Sequence, residues 1–225
     1  MHHKINSSCR ALNILRNMAL AIVAVVGLGT TAKAQIGSGW SSYSPSADLQ
    51  IEINGSIQEW KGTPNEVDYD NDATFSVSGS TYIFEIRNSA CIRVELRWED
   101  NLTGGKEQMQ GNVICHSPVD NMHVFQIHGE VANAQELLDC DQSGSGTLKD
   151  NGNVTVATSV YGVSERFNYI RDYGAKEAYM YINGTLKTSH SITPPASGDA
   201  YYSKTGIYGQ GTGGNVKWSN IEFWN

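Results

Sequence analysis

Three short stretches of the 225-residue chain gather side chains that can hold an anion and move a proton. They are Arg93-Val94-Glu95-Leu96-Arg97-Trp98, Val124-Phe125-Gln126-Ile127-His128-Gly129 and Tyr202-Ser203-Lys204-Thr205-Gly206-Ile207-Tyr208-Gly209-Gln210. Arginine offers a planar fork of donors that suits a carboxylate, and glutamine adds a neutral donor. Histidine and tyrosine transfer protons when their neighbours tune them. Side chains alternate along a strand, so Arg93, Glu95 and Arg97 share one face, and so do Gln126 and His128. Tyr202, Lys204, Tyr208 and Gln210 share a third, with Gly206 leaving a gap among them. Val94, Leu96, Trp98, Phe125 and Ile127 take the opposite parity. Singly, each stretch has an ordinary reading: a salt-bridge ladder on a solvated strand, a polar surface pair, an aromatic edge strand. Jointly they repeat one design, apolar inward and Arg, Gln, His, Lys and Tyr outward.

Strands must position these residues, and strand patterns fill the chain beyond its N-terminus. Runs rich in Val, Ile, Thr, Tyr and Phe, broken by Gly, Asn, Asp and Ser, predict strands at Leu49-Ile53, Thr74-Val77, Tyr82-Ile86, Ile92-Trp98, Met122-His128 and Val154-Thr158. The same pattern recurs at Arg166-Arg171, Ala178-Ile182, Lys204-Tyr208 and Val216-Trp224. Asn54-Gly55, Asn151-Gly152, Asn183-Gly184 and Gly211-Thr212-Gly213-Gly214 supply turn signals, and Asn183-Gly184 lies between two strand-like runs as a hairpin. Helical periodicity is nearly absent, which implies an all-β antiparallel sandwich or jelly roll. Residues 35–48 read as a flexible Ser/Gly-rich lead-in and 49–225 as one domain. The segments 99–120 and 186–201 read as loops over the polar face.

The first 34 residues read as an address. Lys4, Arg10 and Arg16 precede the apolar run Met18–Leu28, and Ala32-Lys33-Ala34 fits a small-x-small cleavage site. This is the pattern of a secretory signal peptide, too short to span a membrane comfortably. Its loss would take the net charge from -7 to -11, because it holds four bases and no acids. An acidic chain is not expected to coat nucleic acid or an anionic membrane. Net charge governs long-range steering, which salt screens over about 8–10 Å, so a local cationic face can still take an anion. The acids are expected to cluster elsewhere, at Glu66 to Asp72 and Glu136 to Asp141.

In order and spacing, the three stretches resemble the motifs R-[TS]-E-[LV]-R, Q-[IV]-H and Y-F-K-A-G-[VI]-Y-N-Q of polysaccharide lyase family 7, the alginate lyases. Val94, Ser203, Thr205 and Gly209 depart from the motifs, all on the parity away from the polar face. The resemblance runs from Arg93 to the C-terminus. It implies a concanavalin-like jelly roll with a substrate groove on its concave sheet, and β-elimination at the 4-O-glycosidic bond of a uronate polymer. By the same resemblance Arg93 and Gln126 would neutralise the uronate carboxylate, with His128 and Tyr208 as base and acid. Glu95 would orient the arginines, and Arg97, Tyr202, Lys204 and Gln210 would line subsites. The Gln-Ile-His form is similar to members that accept guluronate or mixed blocks. The expected partner is alginate, with no cofactor, no nucleic acid and no membrane after cleavage. The expected form is a secreted monomer, extracellular or periplasmic.

Other readings compete. A non-catalytic sugar-binding module could use the same fold, as could a lyase for another uronate polymer such as glucuronan. Glu66-Val67-Asp68-Tyr69-Asp70 resembles the carboxylate motif of laminarinase-like hydrolases, but Asn71 stands where their acid/base would be. Asp139, Asp141 and Ser143 match the start of a calcium loop, though turn chemistry explains them as well. Export permits disulfides, and Cys115–Cys140 is the expected bridge because those residues flank one predicted hairpin; pairings with Cys91 stay open.

Overall fold

The inward-facing residues of successive strands sort the chain into two layers. In the computed structural model, which describes residues 37–129, 136–151, 153–209 and 213–225, Val94, Leu96, Phe125, Ile127, Phe167 and Trp218 are all buried. The strands in chain order are β1 (Ser42–Tyr43), β2 (Ala47–Ile53), β3 (Ser56–Trp60), β4 (Glu66–Tyr69), β5 (Ala73–Ser78), β6 (Thr81–Ile86), β7 (Cys91–Trp98), β8 (Lys106–His116) and β9 (Met122–Gly129). They continue as β10 (Glu136–Asp141), β11 (Thr147–Asp150), β12 (Thr155–Thr158), β13 (Glu165–Asp172), β14 (Glu177–Ile182), β15 (Thr185–Ser191), β16 (Tyr201–Tyr208) and β17 (Gly214–Trp224). One sheet is ordered β15-β14-β13-β8-β17-β6-β5-β4 with β1 added on β17, the other β12-β11-β10-β9-β16-β7-β2-β3. Neighbouring strands pair antiparallel throughout.

Aromatic rings fill the space between the sheets. Phe125 of β9 meets Phe167 and Tyr169 of β13 at centroid distances of 4.7 and 5.3 Å, and Trp98 of β7 meets Phe223 of β17 at 5.2 Å. Buried polar handles find partners: Trp218 Nε1 donates to the Val124 carbonyl at 3.1 Å, and Trp98 Nε1 to Thr205 Oγ1 at 3.1 Å. Burying one such large side chain is worth about 1.5–3 kcal/mol. This is the all-β jelly-roll sandwich that the sequence leads one to expect. Asn54-Gly55 and Asn183-Gly184 take positive φ (51° and 75°, 52° and 77°) and close the β2–β3 and β14–β15 hairpins.

Several expectations change. The stretch 99–120 is not a loop over the polar face, because Lys106–His116 is a long central strand of the nine-stranded sheet. Its polar start, Lys-Glu-Gln-Met-Gln, hides this, and tertiary pairing overrides local propensity. Arg171 Nε donates to Glu107 Oε2 at 2.6 Å, and Gln110 Nε2 to Glu222 Oε2 at 2.9 Å. The stretch 186–201 likewise contains most of β15. The lead-in is not wholly loose, since Ser42–Tyr43 pairs with β17 and Ala47-Asp48 begins β2. The segment 1–34 lies outside the described residues. Among those described, no helix is long and apolar enough to cross a membrane.

The expected Cys115–Cys140 bridge is not formed. Cys91, Cys115 and Cys140 are free, buried thiols. Cys115 lies on β8 and Cys140 on β10, in different sheets rather than one hairpin. Contact with Cys140, together with burial, pushes the Cys115 thiol well above its ordinary value.

A second cross-sheet cluster makes stability depend on pH. His190 Nε2 on β15 lies 3.6 Å from Glu136 Oε2 on β10 and 3.4 Å from Asp150 Oδ2 on β11. Burial first, and the charge of Asp150 second, push Glu136 from 4.5 up to about 7. A carboxyl raised on folding stabilises fully below its unfolded pKa, and that contribution is lost as pH rises through the folded value. Glu136→Gln should therefore flatten the fall in the urea midpoint between about pH 4.5 and 7. An unchanged slope would show that Glu136 is not strained there.

Candidate active site

The register of five adjacent strands sets the polar residues into rows across the eight-stranded sheet. One row reads Glu52 (β2), Arg93 (β7), Tyr208 (β16), His123 (β9) and Asp139 (β10). The next aligns Gln50, Glu95 and Gly206, and the third Asp48, Arg97, Lys204 and Gln126. The last pairs Tyr202 with His128.

The central rows form a buried polar floor. Gln126, Glu95 and Lys204 are only 2%, 1% and 3% exposed. Gln126 Nε2 donates to Glu95 Oε1, and Lys204 Nζ donates to Gln50 Oε1 at 3.1 Å. Glu95 Oε2 also lies 3.5 Å from both Lys204 Nζ and Arg93 Nε, so one carboxylate ties three strands together. Burial pushes the Lys204 ammonium down, against the pull of Glu95. Arg93 is held from its other side by Glu52 at 3.4 Å.

Each end of the face has its own aromatic and histidine. At one end the Arg93 guanidinium lies 4.7 Å from the Tyr208 ring centre, and the His123 ring 5.6 Å from it. His123 Nδ1 contacts Asp139 Oδ1. At the other end Arg97 lies 4.1 Å over the Tyr202 ring, and Tyr202 Oη is 3.2 Å from His128 Nδ1. His128 Nδ1 also lies 2.7 Å from the Gly129 carbonyl, which places a proton there and leaves Nε2 as the acceptor. Burial, with Lys204 and Arg93 adding to it, holds His128 below its ordinary value and favours the neutral ring.

The structure thus brings Arg93, Glu95, Gln126 and Lys204 together.

 In backbone register His128 stands opposite Tyr202 and Tyr208 opposite His123, and the charge of Arg93, 4.7 Å from the Tyr208 ring, also acts on His128. Gln210 lies outside the described residues.

Sequence alternation missed His123 for a physical reason. Counting back from Gln126 by twos puts His123 on the core side. The ladder slips on both flanks of β9, between Thr205 and Tyr208 against β16 and between Leu138 and Asp139 against β10. Such an irregularity resets the alternation and turns His123 toward Tyr208. The adjacent apolar pair Val124-Phe125, where the apolar–polar alternation doubles, is the sequence signal that could have marked that slip. Asp48, Gln50 and Glu52 were also missed, although their spacing on β2 repeats the alternation of the other strands. They correct the expectation that the acids lie elsewhere: each arginine of the face has a carboxylate opposite it on β2, so the face is an ion-paired array rather than a purely cationic one.

The competing readings find less support in this geometry. Asp141 Oδ1 accepts from Ser143 N at 2.8 Å, its Oδ2 accepts from Lys149 Nζ at 2.9 Å, and Asp139 faces His123. Among the described residues no group of three or more His, Cys, Asp or Glu could hold a metal ion. Glu66 and Asp68 lie on β4, at the edge of the other sheet, where Asp68 pairs with Arg87 at 3.0 Å.

No protein-family model matches the chain. A citrate-binding protein of Hevea brasiliensis is 28% identical over 160 residues, 69% of this chain and 62% of that protein, so the chain spans less than two thirds of that relative's length. Among solved structures, the marine family 7 alginate lyase AlyA1 of Zobellia galactanivorans aligns with a TM-score of 0.61 at 17% identity, over 80% of this chain and 96% of that one. An alginate lyase from Corynebacterium sp. aligns at 0.58 and 16%, over 81% and 100%. The family 7 alginate lyase A1-II', solved in complex with substrate, aligns at 0.56 and 18%, over 79% and 91%. These likenesses show a shared fold, the two-sheet jelly roll of the family 7 alginate lyases.

Proposed function

We propose that the chain is a secreted polysaccharide lyase that cleaves alginate by β-elimination, leaving 4,5-unsaturated uronate ends. The observation that carries this reading is the row in which Arg93 lies 4.7 Å from the Tyr208 ring, beside a floor of Gln126 and Lys204. The proton at C5 of a uronate is barely acidic while the neighbouring carboxylate keeps its charge. Arg93 and Gln126 supply donors that would stabilise the dianion as it develops. Glu95 positions both, through its hydrogen bond with Gln126 and its ion pair with Arg93. Tyr208, next to Arg93, is placed to exchange a proton with C5 and with the leaving oxygen. Arg97, Tyr202 and His128 form a second site along the strands that suits an adjacent uronate, with Lys204 between the two. Secretion rests on the N-terminal segment 1–34, and a monomer without cofactor remains the working form.

A second reading is a binding module for a small polycarboxylate, without chemistry. The match to a citrate-binding protein favours it, and the same arginines would serve. The two separate in one experiment. Polymannuronate, polyguluronate and glucuronan are each incubated with the protein and followed at the absorbance of the unsaturated bond, while citrate is titrated calorimetrically. The lyase reading expects new absorbance on at least one alginate block. Citrate binding with no absorbance on any polymer would select the second reading.

A further inference from the structure

We propose that Asp100 is a positioning residue for the substrate face: from the core side it clamps Ser203, and so fixes Tyr202 and Lys204 on either side of it. This rests on the reading of that face as the site of the lyase. The register shows why β16 needs such a support. Arg97 of β7 pairs with Lys204 of β16, and beyond it Leu102 bridges to Tyr201. The chain therefore takes five steps from Arg97 to Leu102 while β16 takes three from Lys204 to Tyr201. The extra residues carry the backbone around Asp100 out of the ladder, as at a bulge, and β7 no longer reaches Ser203. The Asp100 carboxylate fills that place. Ser203 N donates to Asp100 Oδ1 at 2.9 Å and to Oδ2 at 3.1 Å, and Ser203 Oγ donates to Oδ2 at 2.6 Å. A buried N–H without an acceptor is costly, so the carboxylate completes the strand.

The clamp is anchored in the opposite sheet. Arg171 Nη2 on β13 donates to Asp100 Oδ2 at 3.0 Å, and Arg171 Nε donates to Glu107 Oε2 on β8 at 2.6 Å. Tyr43 Oη on β1 donates to the same Glu107. Asp100, Glu107, Arg171 and Ser203 are all buried. Burial pushes both carboxyls up, and the one guanidinium between them pulls them back. Charge-assisted hydrogen bonds of this kind are directional, so they hold Ser203 more tightly than apolar contact does. Ser203 stands where the motif Y-F-K-A-G-[VI]-Y-N-Q carries an apolar ring, and a buried serine hydroxyl needs the acceptor that Asp100 supplies. The neighbours of Ser203 point the other way, onto the polar face. Tyr202 lies under Arg97 at 4.1 Å, and Lys204 Nζ donates to Gln50 Oε1 at 3.1 Å. Loosening Ser203 moves both together.

The test compares wild type, Asp100→Ala, Asp100→Asn and Ser203→Ala by kcat and KM on the best alginate block. Calorimetry gives Kd for an alginate oligosaccharide, and the thermal midpoint is read beside it. Asp100→Ala is expected to raise KM and Kd by about 10-fold, the scale of one hydrogen bond to a charged group, with kcat falling less. Asp100→Asn keeps an acceptor oxygen and Ser203→Ala keeps the N–H bond, so both are expected to lie between Asp100→Ala and wild type. If Asp100→Ala does not fold, these two decide by the same measurements. A lowered thermal midpoint with unchanged KM and Kd in every folded variant would overturn the proposal and leave Asp100 a core residue alone. A wild type that binds the oligosaccharide without cleaving any polymer would overturn the lyase reading, and Kd would then decide the clamp. A wild type that neither binds nor cleaves would overturn both.

Discussion

Tyr208→Phe is expected to abolish the appearance of unsaturated product, a loss of at least about 10³-fold, while the protein stays folded. The substitution removes one oxygen and keeps the ring. The phenyl ring retains its place against Arg93 and His123, whose contacts with Tyr208 are at 4.7 and 5.6 Å. Tyr208 is half-buried at the end of β16, away from the aromatic core, so the thermal midpoint should hardly move. Circular dichroism and the product absorbance together decide it: full activity in a folded Tyr208→Phe protein would remove tyrosine from the mechanism. His128→Ala sharpens the comparison. The family resemblance implies that His128 and Tyr208 form one acid–base pair, and that pairing expects both variants to be dead. The rows instead put His128 beside Tyr202, and expect it to weaken binding along the polymer more than it slows the chemical step.

Gly206→Ala is expected to be the most destabilising substitution on this face. Gly206 has φ of +147°, a conformation that side chains rarely adopt. A Cβ there would lie 2.3 Å from the Val94 carbonyl oxygen and 2.7 Å from Glu95 Cα. Both are backbone atoms of β7, so relief requires parting β16 from β7. Phe84 Cδ1 of the opposite sheet lies 3.1 Å away and blocks a small shift. The cost should exceed about 3 kcal/mol, a large share of a typical total of about 5–15 kcal/mol. In a domain of this size that lowers the thermal midpoint by about 6–12 °C. A midpoint within about 2 °C of wild type would show that β7 yields more easily than this packing implies. Parting those strands would also break the row of Arg93 and Tyr208, so activity should fall with stability.

Much of the architecture was legible because burial leaves a period-two trace. Val94, Leu96 and Trp98 on β7, and Phe125 and Ile127 on β9, occupy the core, as their alternation requires. Asn-Gly pairs marked two hairpins, because each needs residues that tolerate positive φ. The central strand β8 left no such trace. Glu107, Gln108 and Gln110 are buried polar residues, and Glu107 and Gln110 are paid for by partners such as Arg171 and Glu222, distant in sequence.

By itself the sequence determined which residue types line the polar face on β7, β9 and β16, and that those strands belong to an all-β sandwich. Both follow from local alternation, a property of a single strand. Only the tertiary structure decided which of these residues meet. Register between strands set Arg93 beside Tyr208 and His128 beside Tyr202. It also placed the carboxylates of β2 opposite the arginines. A slip in the ladder brought His123 and Asp139 to Tyr208. Register arises from the summed pairing of whole strands, so no short stretch of residues carries it.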